Sequence, residues 1–314
     1  METRNELTTR LARCLVVLWF GVNAVLFTTP AAFATQQVLD DIRHQSGIAS
    51  SYNFSPLPSN AGEGITVAIV SQGITRNLKD IVGDHLSVVS VISSDTSPYA
   101  GEDSFGIGNG MVSIVAALAP GAKIINIKSL DDMGSGSYED IKNGISRATE
   151  SGAKILVLPI GAEESDDGVS SVVKAAIGKG ILVVASAGNQ SGGQVNFPAN
   201  MDGVLAIGAS NQQQKVASFS SIGSKVIYAP GEDIKGVEQD DKLGSHSGTS
   251  HSSAVAGAIF AVLWSQNPSL SRQQLVDAVM KSTKEIEDVN GGKCKLIDGA
   301  AALRAINDAK ATTQ

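Results

Sequence analysis

Ser250, preceded by Gly248 and Thr249 and followed by small residues as far as Gly257, is the side chain with the best setting for chemistry. A serine hydroxyl is a poor nucleophile alone: an imidazole must take its proton during attack on a carbonyl and return it to the leaving group. Two of the four histidines, His246 and His251, flank it. Successive residues on a helix project about 100° apart and do not face each other, so His251 is poorly placed to deprotonate Ser250. His246 precedes the helix and stays open as a replacement base; otherwise both rings are read as solvated or hydrogen-bonded within the fold. His44 and His85 have no partner pattern and are read as surface residues.

Asn189, directly after Gly188, has two readings that the residues leave open: a carboxamide donor to a developing oxyanion, or a turn residue. The pairs Asp131-Asp132, Asp166-Asp167 and Asp240-Asp241 are read as solvated loop charges, and no metal is called for. Gly106, Gly108 and Gly110 resemble part of a dinucleotide loop, but no strand leads into them and the spacing is incomplete. No cofactor is expected.

These residues need a scaffold, and hydrophobic patterning supplies one. Apolar runs at 65–70, 122–127, 155–160, 181–185 and 204–207 alternate with segments that fit helices, which predicts a mainly parallel sheet. Segments 111–118 and 254–264 are apolar on all sides, as helices buried in a large α/β domain must be. Segments 138–150 and 169–177 are amphipathic and are expected to cover the sheet, and Ser271 with Gln274 forms a capping box for a further helix. Residues 35–60, with Pro56 and Pro58, are read as an arm over the domain surface, and 61–310 as the domain.

The first 34 residues read as a secretory signal peptide. Arg4, Arg10 and Arg13 give a basic start, 14–27 is apolar, and Ala32-Phe33-Ala34 forms a cleavage signal, so the expected mature chain begins at Thr35 in the periplasm or outside the cell. The apolar run is short for a bilayer span of about 20 residues. Cys14 precedes that run, which argues against a lipoprotein box. Removing Glu2, Glu6 and the three arginines from 31 acidic and 24 basic residues leaves 29 and 21, a net charge of −8. Binding to nucleic acid or a membrane surface by charge is disfavoured. Only Cys294 remains, so no internal disulfide forms, and it is read as a small buried hydrophobe.

Gly248-Thr249-Ser250 with Val255-Ala256-Gly257-Ala258 resembles the nucleophile segment of the subtilisin-like serine peptidases. Val183-Val184-Ala185-Ser186-Ala187-Gly188-Asn189 is similar to that family's oxyanion strand. Phe197-Pro198-Ala199, 204–208, Ala217-Ser218-Phe219-Ser220-Ser221 and Ala229-Pro230-Gly231 follow in family order. Ala119-Pro120-Gly121-Ala122-Lys123-Ile124 and Leu296-Ile297-Asp298 extend the likeness over about 60–305. The resemblance implies a three-layer α/β fold with a central, mainly parallel sheet and helices on both faces. It also implies roles. Ser250 falls on the nucleophile and Asn189 on the oxyanion donor. The aspartate that closes the first strand is Ser71 in Val67-Ala68-Ile69-Val70-Ser71-Gln72-Gly73-Ile74, and the histidine of the Gly-His-Gly-Thr turn is Ile107.

Ile107 has no lone pair and no titratable proton, and Ser71 no charge to stabilise an imidazolium, so the resemblance implies a domain without its mechanism. The family places eight positions between nucleophile and the glycine of Val-Ala-Gly, whereas Ser250 to Gly257 is seven. Holding Gly257 in register would bring Thr249 to the nucleophile position, since one helical residue is a rotation of about 100° and a rise of about 1.5 Å. The family's substrate-pairing edge Ser-Leu-Gly is matched by Pro159-Ile160-Gly161, and Pro159 cannot donate a backbone hydrogen bond. Three functions remain: an exported, inactive homologue that binds a protein or peptide, an active serine endopeptidase using Ser250 with a non-standard base, and a structural module of an envelope assembly.

Overall fold

The computed structural model describes residues 30–101, 104 and 106–311. The basic and apolar segments of the expected signal peptide lie outside them, and the Ala34–Thr35 bond falls within the first helix, α1 (Pro30–Arg43).

The five apolar runs become strands β1 (Thr66–Ser71), β3 (Lys123–Lys128), β4 (Ile155–Leu158), β5 (Leu182–Ser186) and β6 (Leu205–Ser210). They are joined by β2 (Leu86–Ser90), β7 (Ile227–Pro230), β10 (Lys284–Glu287) and β11 (Lys293–Leu296) in one sheet, ordered β10-β11-β7-β6-β5-β4-β1-β3-β2. Every neighbouring pair is parallel except β10 with β11. A separate antiparallel hairpin joins β8 (Ile234–Val237) to β9 (Leu243–His246).

Side chains alternate across a strand, and this sorts the core into two layers. Val67 and Ile69 of β1 join one layer with Val157, Val184 and Ile207. Its other residues, Ala68 and Val70, join Leu156, Leu158, Val183 and Ala185 on the opposite face. The first layer is filled by α3 (Ile107–Leu118) and α6 (Thr249–Gln266), both buried along nearly their whole length. Gly257 lets α6 settle on the sheet: a β-carbon there would lie 2.7 Å from Val157 Cγ2. The second layer is covered by α4 (Tyr138–Glu150) and α5 (Asp167–Gly178), which bury one face each. The capping box forms at the start of α7 (Arg272–Lys281), where Ser271 and Gln274 satisfy each other's backbone amides.

The arm is tied into the domain. Ile42, Ile48 and Tyr52 are buried in the α3–α6 layer. Arg43 Nε donates to the Ala117 carbonyl at 2.7 Å and the Tyr52 hydroxyl to that of Leu118. A helix leaves its last carbonyls without internal partners, so the arm caps the C-terminal end of α3. Cys294 is half-buried near the sheet edge rather than fully enclosed, because on its outer side β11 is covered only by the short edge strand β10.

Candidate functional site

The first turns of α3 and α6 meet above the C-terminal ends of the parallel strands, where an open α/β sheet gathers loop backbone and helix termini. At α3, Gly106 takes a left-handed conformation (φ 71°) and starts the helix without a side-chain cap. Gly108 is pressed against the loop after β1: a β-carbon there would fall 2.2 Å from the Gly73 carbonyl oxygen. Between them Ile107 turns its half-buried side chain into a cleft. Ser71, at the end of β1, is fully buried and its hydroxyl has no partner. The bridge between these elements is Gln72, whose Oε1 accepts from Ile107 N at 3.2 Å and whose Nε2 donates to the carbonyls of Asp131 (3.0 Å) and Asp132 (2.8 Å). A neutral carboxamide thus links the end of β1 to the start of α3, and neither Ser71 nor Ile107 can carry charge.

At α6 the hydroxyls of two successive residues diverge. Thr249 points inward: its N–H and its hydroxyl both donate to Asn189 Oδ1 at 3.0 Å, and its oxygen accepts from Gly188 N at 3.2 Å. Ser250 points the other way and donates to the Pro159 carbonyl at 2.9 Å. That carbonyl holds the serine proton but cannot carry it through a reaction, as a general base must. Because an amide N–H must meet oxygen, Asn189 has its carbonyl toward Thr249 and its NH2 turned outward.

His251 is neither solvated nor hydrogen-bonded, contrary to expectation, while His246 is half-buried. His251 is only 6% exposed and neither ring nitrogen has a partner. Its room comes from glycines: β-carbons on Gly110 and Gly248 would lie 3.3 Å from Nε2 and 3.6 Å from Nδ1. His246, closing β9, stacks on it with ring centroids 5.1 Å apart and an interplanar angle of 8°. Burial, and then the neighbouring His246, push the His251 pKa down to about 3, so the ring is neutral at pH 7. His246 is also lowered, by burial, against the opposing charge of Glu238 3.9 Å away. Neither imidazole is hydrogen-bonded to Ser250. His44 and His85 are exposed.

Beside the two helix starts runs a cleft of about 500 Å³. Pro159, Ile160 and Gly161 form one wall, Leu130 and Gly134 to Gly136 another, and Ile107 lies at its edge. Gly161 passes close beneath Asn196, and Ala162 exchanges backbone bonds with Phe197 at 2.8 and 2.9 Å, so this wall is fixed at its Gly161 end.

The subtilase family model matches residues 62–300. This chain belongs to the subtilase family. Thermitase of Thermoactinomyces vulgaris is 32% identical over 221 residues, 67% of this chain and 78% of that protein. Subtilisin NAT of Bacillus subtilis subsp. natto is 29% identical over 259 residues, 76% of this chain and 67% of that one. Among solved structures, a mutant of the protease domain of PatA superposes with a TM-score of 0.72 at 23% identity, covering 80% of this chain and 98% of that one. That last likeness shows the fold, the three-layer α/β architecture that the resemblance implied.

Within this subtilase domain the residues singled out from sequence fall in one place: Ser71 and Ile107 at the β1–α3 junction, Ser250 and Asn189 at the α6 start, and Pro159 to Gly161 between them and the cleft. Sequence reasoning missed Gln72, quoted only as a neighbour of Ser71, and the Leu130 and Gly134-Ser135-Gly136 wall. The signal for that wall was present: a run of small residues between a strand and the N-cap Ser137 leaves backbone open beside the groove. It also missed Thr249 as the partner of Asn189. The Asp131-Asp132 pair is engaged within the fold, Asp131 accepting from the amides of Met133 and Ser135 and Asp132 facing Lys128 at 3.4 Å, and Asp241 accepts from Thr75 and Asn77 across the molecule. No group of three or more candidate metal ligands occurs among the described residues.

Proposed function

We propose that this subtilase homologue is proteolytically inactive and works outside the cytoplasm by binding a peptide or protein segment in the cleft beside Ile107. The observation that carries the reading is the pairing of Ser250 with the Pro159 carbonyl, together with an aliphatic side chain at position 107. Attack by Ser250 requires a base within about 2.6 to 3.2 Å of its oxygen. In subtilisin, loss of nucleophile or base lowers turnover on the order of a million-fold. Ligand binding needs none of those groups: an extended peptide can use the apolar walls and the backbone groups that Pro159 to Gly161 still offer. Pro159 removes one donor from that edge but keeps its acceptor.

Export rests on the basic, apolar and Ala32-Phe33-Ala34 sequence at the N-terminus. Among the described residues no helix is long and apolar enough to cross a membrane. The deciding experiment treats the exported protein, whose intact mass should correspond to a start at Thr35, with casein and with a fluorophosphonate probe. Both reactions are expected to be blank. Labelling that vanishes in Ser250→Ala, or in His246→Ala, would replace this reading with an active serine hydrolase using an unusual base.

A further inference from the structure

We propose that a second cavity, at the end of the sheet opposite the cleft, binds a small phosphate monoester. The cleft sits above the C-terminal ends of the strands; this open cavity of about 470 Å³ lies where β4 and β5 begin, between the turns that end α4 and α5 and the start of α7. Lys154, Lys179 and Arg272 line it, and no carboxylate does. The chain from Thr35 has 29 acidic and 21 basic residues, so three cations around one concavity without a counter-charge run against its composition. None of the three takes part in an ion pair among the described residues. Like charges gathered in this way repel, a cost that a bound anion removes.

Each cation is placed by a different element. Lys154 precedes β4 and is fixed by backbone bonds of 2.9 Å to Thr66 on one side and Leu182 on the other, and its ammonium lies 5.1 Å from the centroid of the Trp264 ring. Lys179 closes α5, its N–H shared between the carbonyls of Ala175 and Ala176 at 3.1 and 3.2 Å, while its side chain is exposed. Arg272, the first residue of α7, donates through Nη1 to the Gly203 carbonyl at 3.0 Å, which anchors the guanidinium and leaves Nε and Nη2 for a ligand.

The ligand class follows from these neighbours. Two ammonium groups and a planar guanidinium suit the two charges and three terminal oxygens of a phosphate monoester better than the single charge of a carboxylate. Beside them Ile181, Leu270 and the Trp264 indole supply an apolar side for the group that carries the phosphate. The turns at Gly152 and Gly180 keep the mouth open: a β-carbon on either would meet nothing within 4 Å. A net charge of −8 over the chain from Thr35 disfavours anionic polymers and membrane surfaces, so the ligand is one small enough to enter the cavity.

The test leaves the cleft out. Hexyl phosphate and hexanol are titrated into the exported protein at neutral pH, with binding read by isothermal calorimetry and placed by tryptophan emission. Of the two tryptophans, Trp19 belongs to the expected signal segment, so Trp264 beneath Lys154 is the reporter. Hexyl phosphate is expected to bind saturably and shift the emission, and hexanol to do neither. Lys179→Gln, at an exposed position that supports the fold only through its backbone, should weaken binding about tenfold, and Lys179→Arg should restore it. An affinity unchanged in Lys179→Gln, equal binding of hexanol, or no saturable binding of hexyl phosphate up to about 10 mM overturns the site.

Discussion

The first turns of α3 and α6 lie side by side and depart from the family pattern in different ways. At α3 the functional groups themselves are missing: Ile107 and an unpartnered Ser71 stand there, and Gln72 holds the junction with neutral hydrogen bonds. At α6 the groups are present but redirected, Ser250 to Pro159 and Thr249 to Asn189. The backbone is close-packed in both helices, with Gly108 against Gly73 in the first turn of α3 and Gly257 against Val157 about two turns into α6. Packing therefore fixes where the two helices start, while the side chains on the cleft side of that frame are free to change, and a fold can outlive the chemistry it positioned.

The sharpest way to break this contrast is to rebuild the α3 side alone. Ser71→Asp with Ile107→His should yield no peptidase activity, because Ser250 remains on the Pro159 carbonyl. It should also lower stability by about 3 kcal/mol, since a carboxylate and an imidazole enter a site shaped around a buried Ser71 whose hydroxyl finds no partner, and a partly satisfied buried pair is costly. Denaturant midpoints and casein hydrolysis read both effects; cleavage at ordinary protease rates would mean that the α6 side was never displaced.

A somewhat smaller effect is expected at α6 on acidification. The His251 imidazole titrates near 6.5 when the chain is unfolded and at about 3 when folded, so the unfolded state takes up protons first as pH falls. Stability contributed by the neutral ring is present above 6.5 and declines between 6.5 and about 3, by about 2 kcal/mol from 6.5 to 4.5. The groups facing it are His246, also lowered by burial, and Glu238 beyond. Carboxylates titrate in part of this window, so the measurement is the difference between the unmodified protein and His251→Leu at pH 7 and 4.5. Equal acid sensitivity in the two would clear the buried ring of responsibility.

The smallest effect belongs to the brace at α3. Gln72→Ala removes three hydrogen bonds, some of whose partners water can reach, and should cost about 1 to 2 kcal/mol. Faster hydrogen exchange confined to the Ile107 amide would locate the loss at the junction. No change in midpoint or exchange would show that Gly108 alone holds α3 in place.

The sheet and its buried helices were legible because each carries a pattern that survives without context: continuous apolar runs for β1, β3, β4, β5 and β6, and all-round apolar segments for α3 and α6. The edges were not. β2, half-exposed, and β10 and β11, four residues each, have no run long enough to stand out, and the β8–β9 hairpin closes on Asp240 and Asp241 rather than on an Asn-Gly turn. Helix α1 was read as part of a polar arm because its contact with α3 rests on a few residues such as Ile42. In the site, residue types at 71 and 107 could be read directly. The direction of the Ser250 hydroxyl could not, since its partner lies 91 residues away. His251 was misread because its burial depends on what Gly110 and Gly248 lack, and absent side chains leave no pattern in a sequence.

The seven-residue step from Ser250 to Gly257 behaves as a ratchet. Positions 71 and 107 can be exchanged one side chain at a time, in either order and in either direction. The spacing cannot: α6 is pinned at its start by Thr249 on Asn189 and two turns later by Gly257 on Val157, so lengthening that interval demands an inserted codon that the packing has no room to absorb gradually. On the proposed reading, a partial reversal would be less stable than its parent and no more active. A lineage carrying this helix would then refine what the cleft holds far more easily than it would return to cutting it.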